Sequence, residues 1–65
     1  MSMIANIAVR LDGPRVVAVI PAYNEERFIA SVVIAALQYA QHVIVVDDGS
    51  TDRTELLARL AGASV

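Results

Sequence analysis

Two runs of β-branched residues bracket one amphipathic stretch in this chain, and that arrangement leaves few folds open to it. Residues 16–20 read VVAVI and residues 42–46 read HVIVV. Continuous apolar runs of this length, without polar alternation, are the pattern of strands covered on both faces, as in parallel sheets. Between them Ile29, Val32, Val33, Ala36, Leu37 and Ala40 recur at i, i+3, i+4, forming one apolar helical stripe suited to packing on a sheet. Ile34 lies off the stripe and points to a second covered face. A further helical stretch, residues 53–63 (RTELLARLAGA), follows the second run and stops near Gly62. The order strand, helix, strand, helix predicts an α/β fold: a parallel-sheet βαβα unit with right-handed crossovers.

Pro21 is expected to end the first strand. Asn24 is a natural N-cap for the first helix, with Glu25 and Glu26 in its first turn, where carboxylates complement the helix dipole. Asp52 and Glu55 have the spacing of a capping box for the second helix, with Ser50 as the alternative cap. Residues 1–15 read as an N-terminal arm or short strand that closes in an Asp-Gly-Pro turn, and residues 16–65 as a partial domain.

Size limits what this unit can do alone. A chain of 65 residues without cysteine buries only about 60% of the surface its unfolded form exposes, with no disulfide to compensate. Two helices on one side of a two-stranded sheet also cannot cover both faces of two apolar strands. A missing C-terminal segment or a second copy in a homo-oligomer is therefore expected to cover the sheet. The net charge is −2 and the five basic residues, all arginines, are scattered, which argues against nucleic acid as a partner. The lack of cysteine excludes a disulfide framework and most thiol or zinc chemistry, and fits a cytoplasmic protein.

No secretory signal is legible in residues 1–15, which lack a basic stretch before an apolar core and cleavage site. The most apolar segment, residues 28–46, is interrupted by Ser31, Gln38, Gln41 and His42 and changes periodicity midway. It is not the unbroken helix of about 20 apolar residues that spans a membrane.

Ligands of open α/β sheets bind outside the carboxyl ends of the strands. Here those ends carry PAYNEE (21–26) and DDGSTD (47–52). If the strands pair directly, the two clusters stand about 4.8 Å apart, and Tyr23, Glu25, Asp47 and Asp48 converge. Each piece has an ordinary reading: a proline that breaks a strand, glutamates that serve a dipole, an Asp-Gly turn. Asp47 and Asp48 repel one another, however, and capping does not need them where Ser50, Thr51 and Asp52 are available. The pair asks for a ligand, a metal or hydrogen-bond donors. The first turn has no glycine to let a pyrophosphate approach the backbone, and its glutamates would repel phosphates. An aromatic ring with carboxylates suits a base and a ribose instead, so the pattern points to a nucleoside whose phosphates are directed elsewhere. His42 reads as a surface or turn residue, and Arg53 and Arg59 as solvated, with one helical ion pair between Glu55 and Arg59.

VVAVIPAYNEE followed one helix later by VIVVDDGSTD resembles the start of the nucleotide-sugar-binding domain of glycosyltransferase family 2, which has the Rossmann-like GT-A fold. The resemblance covers roughly residues 16–61 and implies the N-terminal part of such a transferase. It implies that Pro21, Ala22 and Tyr23 line the base and ribose site, that Glu25 contacts the nucleoside, and that Asp48 accepts from a base N–H with Asp47 beside it. The implied partners are a nucleotide-diphospho-sugar donor and an acceptor, either a saccharide or a polyprenyl phosphate. The double glutamate of AYNEE with DDGSTD is similar to the polyprenyl-phosphate branch, such as dolichyl-phosphate mannose synthases.

The family also implies a divalent cation, Mg or Mn, on the donor diphosphate. It is held by a later Asp-x-Asp element that this chain lacks, so neither a metal ligand nor a catalytic residue is assigned here. On this reading the complete enzyme is a hexosyltransferase, cytoplasmic or at the cytoplasmic face of a membrane, and these 65 residues alone are inactive. A stand-alone nucleotide-binding or assembly module is the alternative. A receiver-like phosphoacceptor domain fits less well, because PAYN stands where its acidic pair should follow the first strand.

Overall fold

The computed structural model describes residues 8–12 and 15–65. The elements are β1 (Ala8–Asp12), β2 (Arg15–Ala22), α1 (Ile29–Ala36), β3 (His42–Asp47) and α2 (Thr54–Ala61). The strands form one sheet in the order β1-β2-β3. β2 and β3 run parallel, with Val17 opposite His42 and Ala22 opposite Asp47. This is the α/β unit expected from the two apolar runs. β1 adds an antiparallel edge, with Ala8 opposite Val19 and Asp12 opposite Arg15, so the sheet is mixed. The expected N-terminal arm or strand is thus a strand over Ala8–Asp12, while residues 1–7 and the Gly13–Pro14 part of the expected turn lie outside the described residues.

Both helices pack on one face. Ala18, Ile20 and Ala22 of β2 and Val43 and Val45 of β3 point into a core that Ile29, Val33, Ala36, Ala40 and Ala58 complete. The predicted stripe is therefore the buried face of α1, with Val32 and Leu37 packed at its margin. The shortest dimension, 17 Å, matches one sheet plus one layer of helices, each roughly 10 Å thick. Among the described residues the opposite sheet face has no second layer: Val17, Val19 and Ile44 are half-buried, and Val46 is 52% exposed. Ile34 is exposed as well, so the second covered face it suggested finds no partner among the described residues. None of the helices is long and apolar enough to cross a membrane, among the described residues.

Three local expectations are corrected. β2 does not end at Pro21 but runs through it to Ala22. The β2 carbonyls that face β3 belong to even-numbered residues: Val16 accepts from the Gln41 N–H and Ala22 from the Asp48 N–H. Pro21 has the other parity, so its missing N–H costs no bond to β3. The first helix does not start at Asn24 with two glutamates in its first turn. Regular α1 begins at Ile29 with Phe28 before it, and no acidic residue lies in its first turn. Asn24 instead takes the left-handed conformation, φ 50°, which turns the chain before a single helical turn is closed by the Ile29 N–H on the Glu25 carbonyl at 2.8 Å. Nor do Ser50 or Asp52 cap α2 at its first residue, since Arg53 holds that position without a side-chain cap bond.

Candidate functional site

The register of β2 on β3 decides where the polar loops meet. Ala22 and Asp47 are direct neighbours at the carboxyl ends of their strands, and the Asp48 N–H extends the ladder to the Ala22 carbonyl at 2.9 Å. The loops 23–28 and 48–53 thus leave the sheet side by side, at the end where open α/β sheets place ligands.

Hydrogen bonds then stitch the loops together in both directions. The Asn24 N–H donates to Ser50 Oγ at 2.8 Å, and the Thr51 N–H donates back to Asn24 Oδ1 at 2.9 Å. One residue on, the Glu25 N–H donates to Thr54 Oγ1 at 2.8 Å, in the interior. The Glu26 N–H reaches Asp52 Oδ2 at 3.3 Å, and the Arg53 N–H returns to Glu26 Oε1 at 3.1 Å. Within the second loop Asp47 Oδ1 accepts from the Ser50 N–H at 3.2 Å and from the Ser50 hydroxyl. Asp52 Oδ1 likewise accepts from the Thr54 N–H at 2.9 Å and from the Thr54 hydroxyl. Partial desolvation alone would raise the Asp52 carboxyl, but the bonds from Thr54 and Glu26 outweigh it and hold its pKa below the ordinary aspartate value. Gly49, at φ 77°, supplies the left-handed step that lets the chain double back between Asp48 and Ser50.

The residues singled out from sequence divide into two groups. Pro21, Tyr23 and Asp48 are exposed at the strand ends, Tyr23 by 55%. Among the described residues no hydrogen bond or ion pair engages the Tyr23 hydroxyl or the Asp48 carboxylate. Ala22, Glu25 and Asp47 lie deeper: Ala22 and Glu25 are buried, Glu25 to 4%, and Asp47 is half-buried under Ser50. Asp47 also has a local role outside helix capping, since it orders the turn by accepting from Ser50. The sequence did not single out Asn24, Ser50 and Thr54 as parts of this site, though their polar side chains at matched loop positions were a signal of cross-loop bonding.

This end of the molecule carries Glu25, Glu26, Asp47, Asp48 and Asp52 against Arg27 and Arg53, the latter with its Nε 3.8 Å from Glu26 Oε1 in an exposed pair. Such an excess of carboxylates suits N–H and O–H donors and disfavours phosphate. Among the described residues no three of His, Cys, Asp or Glu are grouped to hold a metal ion, and Asp47 is already occupied by Ser50. The residues present do not fit the divalent cation that the resemblance implies, and no step is derived through it.

Residues 17–61 match the family described as glycosyl transferase family 2. The chain belongs to glycosyl transferase family 2. In this family 2 member the α/β unit of β2, α1, β3 and α2 forms the N-terminal part of a GT-A fold. The glucosyl-3-phosphoglycerate synthase of Mycolicibacterium smegmatis is 39% identical over 66 aligned residues, which cover 95% of this chain and 22% of that protein. The chain thus spans about a fifth of the length of that curated relative. No solved structure gives a significant match.

Proposed function

We propose that this chain is the nucleoside-binding N-terminal portion of a hexosyltransferase that moves a sugar from a nucleotide-diphospho-sugar to an acceptor. The observation that carries the reading is the register of Ala22 on Asp47, which sets the two motif loops side by side at one sheet end. In this reading the exposed Tyr23 ring stacks on the base and the Asp48 carboxylate accepts a base N–H. Pro21 and Ala22 floor the ribose side, while Glu25 and Asp47 sit beneath and shape the pocket. The carboxylates of both loops steer the diphosphate away from the strand ends. These residues orient the donor and leave bond breaking to groups outside this chain, so the 65 residues alone are inactive.

Beside a saccharide acceptor, two phosphorylated acceptors have particular support. AYNEE with DDGSTD supports a polyprenyl phosphate, with the protein at the cytoplasmic face of a membrane. The relative named for 3-phosphoglycerate supports glucosyl transfer to a small phosphorylated acid in the cytoplasm. Assay of the full-length protein with each acceptor separates them. The site itself is tested by Asp48→Ala in the full-length protein, with binding of ADP, CDP, GDP and UDP followed by calorimetry. Loss of a charge-assisted hydrogen bond is expected to weaken the preferred nucleotide by about tenfold or more. Unchanged affinity for all four rejects the assignment, and binding without transfer to any acceptor favours a nucleotide-binding module.

A further inference from the structure

We propose that Asn24 is a positioning residue of this site: it latches the two strand-end loops together, so that Tyr23 and Asp48 keep a fixed spacing before any nucleotide arrives. The proposal rests on the nucleoside reading above. Its basis is a closed ring. From Ala22 the chain passes through Tyr23 to Asn24, whose N–H donates to Ser50 Oγ at 2.8 Å. Ser50 donates through its N–H and hydroxyl to Asp47, and Asp47 is the register partner of Ala22. The Thr51 N–H doubles the closing bond by donating to Asn24 Oδ1 at 2.9 Å.

The ring divides the residues by task. The Asn24 N–H is spent on Ser50, Ser50 on Asp47, and Asn24 Oδ1 on the Thr51 N–H. The two residues that the ring frames, Tyr23 on the first loop and Asp48 on the second, have exposed side chains that no hydrogen bond engages among the described residues. A pair of ligand-facing groups held by neighbours bonded into a ring is the arrangement that pre-organises a site. The backbone agrees: Asn24 adopts φ 50°, a conformation that among residues with a Cβ only Asn and Asp visit at low cost. The same residue type thus satisfies both the turn and the Thr51 bond.

Two substitutions in the full chain separate these roles. Asn24→Gly accepts the left-handed backbone but has no Oδ1, whereas Asn24→Asp keeps both the backbone tolerance and the acceptor. The probes are ADP, CDP, GDP and UDP by calorimetry, Thr51 amide exchange by NMR and the urea midpoint. Asn24→Gly is expected to weaken the preferred nucleotide about tenfold, the effect of losing one positioning bond, to speed Thr51 exchange, and to leave the urea midpoint nearly unchanged. Asn24→Asp is expected to restore affinity to within about twofold and to restore Thr51 protection. Undiminished affinity in Asn24→Gly despite faster Thr51 exchange overturns the proposal, as does an equal loss in both variants that follows the urea midpoint. Failure of the unmodified protein to bind any of the four overturns the nucleoside reading and this role with it, and is distinguishable because it appears before any substitution.

Discussion

Asp52 joins the first loop to the start of α2 through three acceptor bonds, from the Thr54 N–H and hydroxyl and from the Glu26 N–H. Its folded-state pKa is lowered because, against partial desolvation, those bonds favour the ionised form. A depressed carboxylate stabilises the fold above its unfolded pKa, about 3.9 for aspartate, and the contribution is lost as the pH falls through the folded value. The urea midpoint of Asp52→Ala should therefore lie below that of the unmodified protein near neutral pH. The gap should narrow once the pH falls below the folded value, where protonation removes the same charge from the parent. A gap equally wide at both pH values would show that Asp52 acts through packing and not through its charge.

At the scale of elements, what the sequence makes legible depends on whether the deciding contact is local. The end of α2 is local. Gly62 adopts φ 115°, its N–H bonds the Arg59 carbonyl at 3.1 Å, and the Ala63 N–H bonds the Ala58 carbonyl at 3.0 Å. These bonds form a Schellman cap, which the Gly-Ala stop signalled. The Glu55–Arg59 pair, 2.9 Å between Oε2 and Nη2, is equally local and was equally legible. The helix starts are not local. Asn24, Ser50, Asp52 and Thr54 are all good capping residues, but here their side chains are spent across 26 to 29 residues or on the turn beside them. Capping rules that treat each loop by itself thus place both helices too early. Gly62→Ala tests the local half of this account. A Cβ at Gly62 would stand 3.1 Å from Leu37 Cδ1, and the left-handed backbone alone costs about 1–2 kcal/mol for a residue with a Cβ. Urea denaturation should show a loss of at least about 1 kcal/mol, and a smaller loss would mean that the cap reorganises.

For the whole molecule, the two apolar runs specified more surface than this fold covers. Both read as strands buried on two faces, yet the helices bury only the side that carries Ala18, Ile20, Val43 and Val45. On the other side the half-buried Val17, Val19 and Ile44 and the exposed Val46 form the face that expects a cover. Exposed apolar sheet of this kind is a liability for association and aggregation. After the Gly62 cap the chain returns to the sheet, where Ser64 pairs in parallel with Ile44 of β3. Its N–H donates to the Val43 carbonyl at 2.9 Å and its carbonyl accepts from Val45 at 2.7 Å. In the proposed reading the cover is the remainder of a transferase chain, in keeping with a relative of which this sequence spans 22%. The protein isolated from its source cells should then have a denatured mass several-fold above the 6.9 kDa of these residues. A denatured mass of 6.9 kDa with a multiple of it under native conditions would assign the cover to further copies of the chain. The transferase reading would then give way to an assembly that binds nucleotide without transferring sugar.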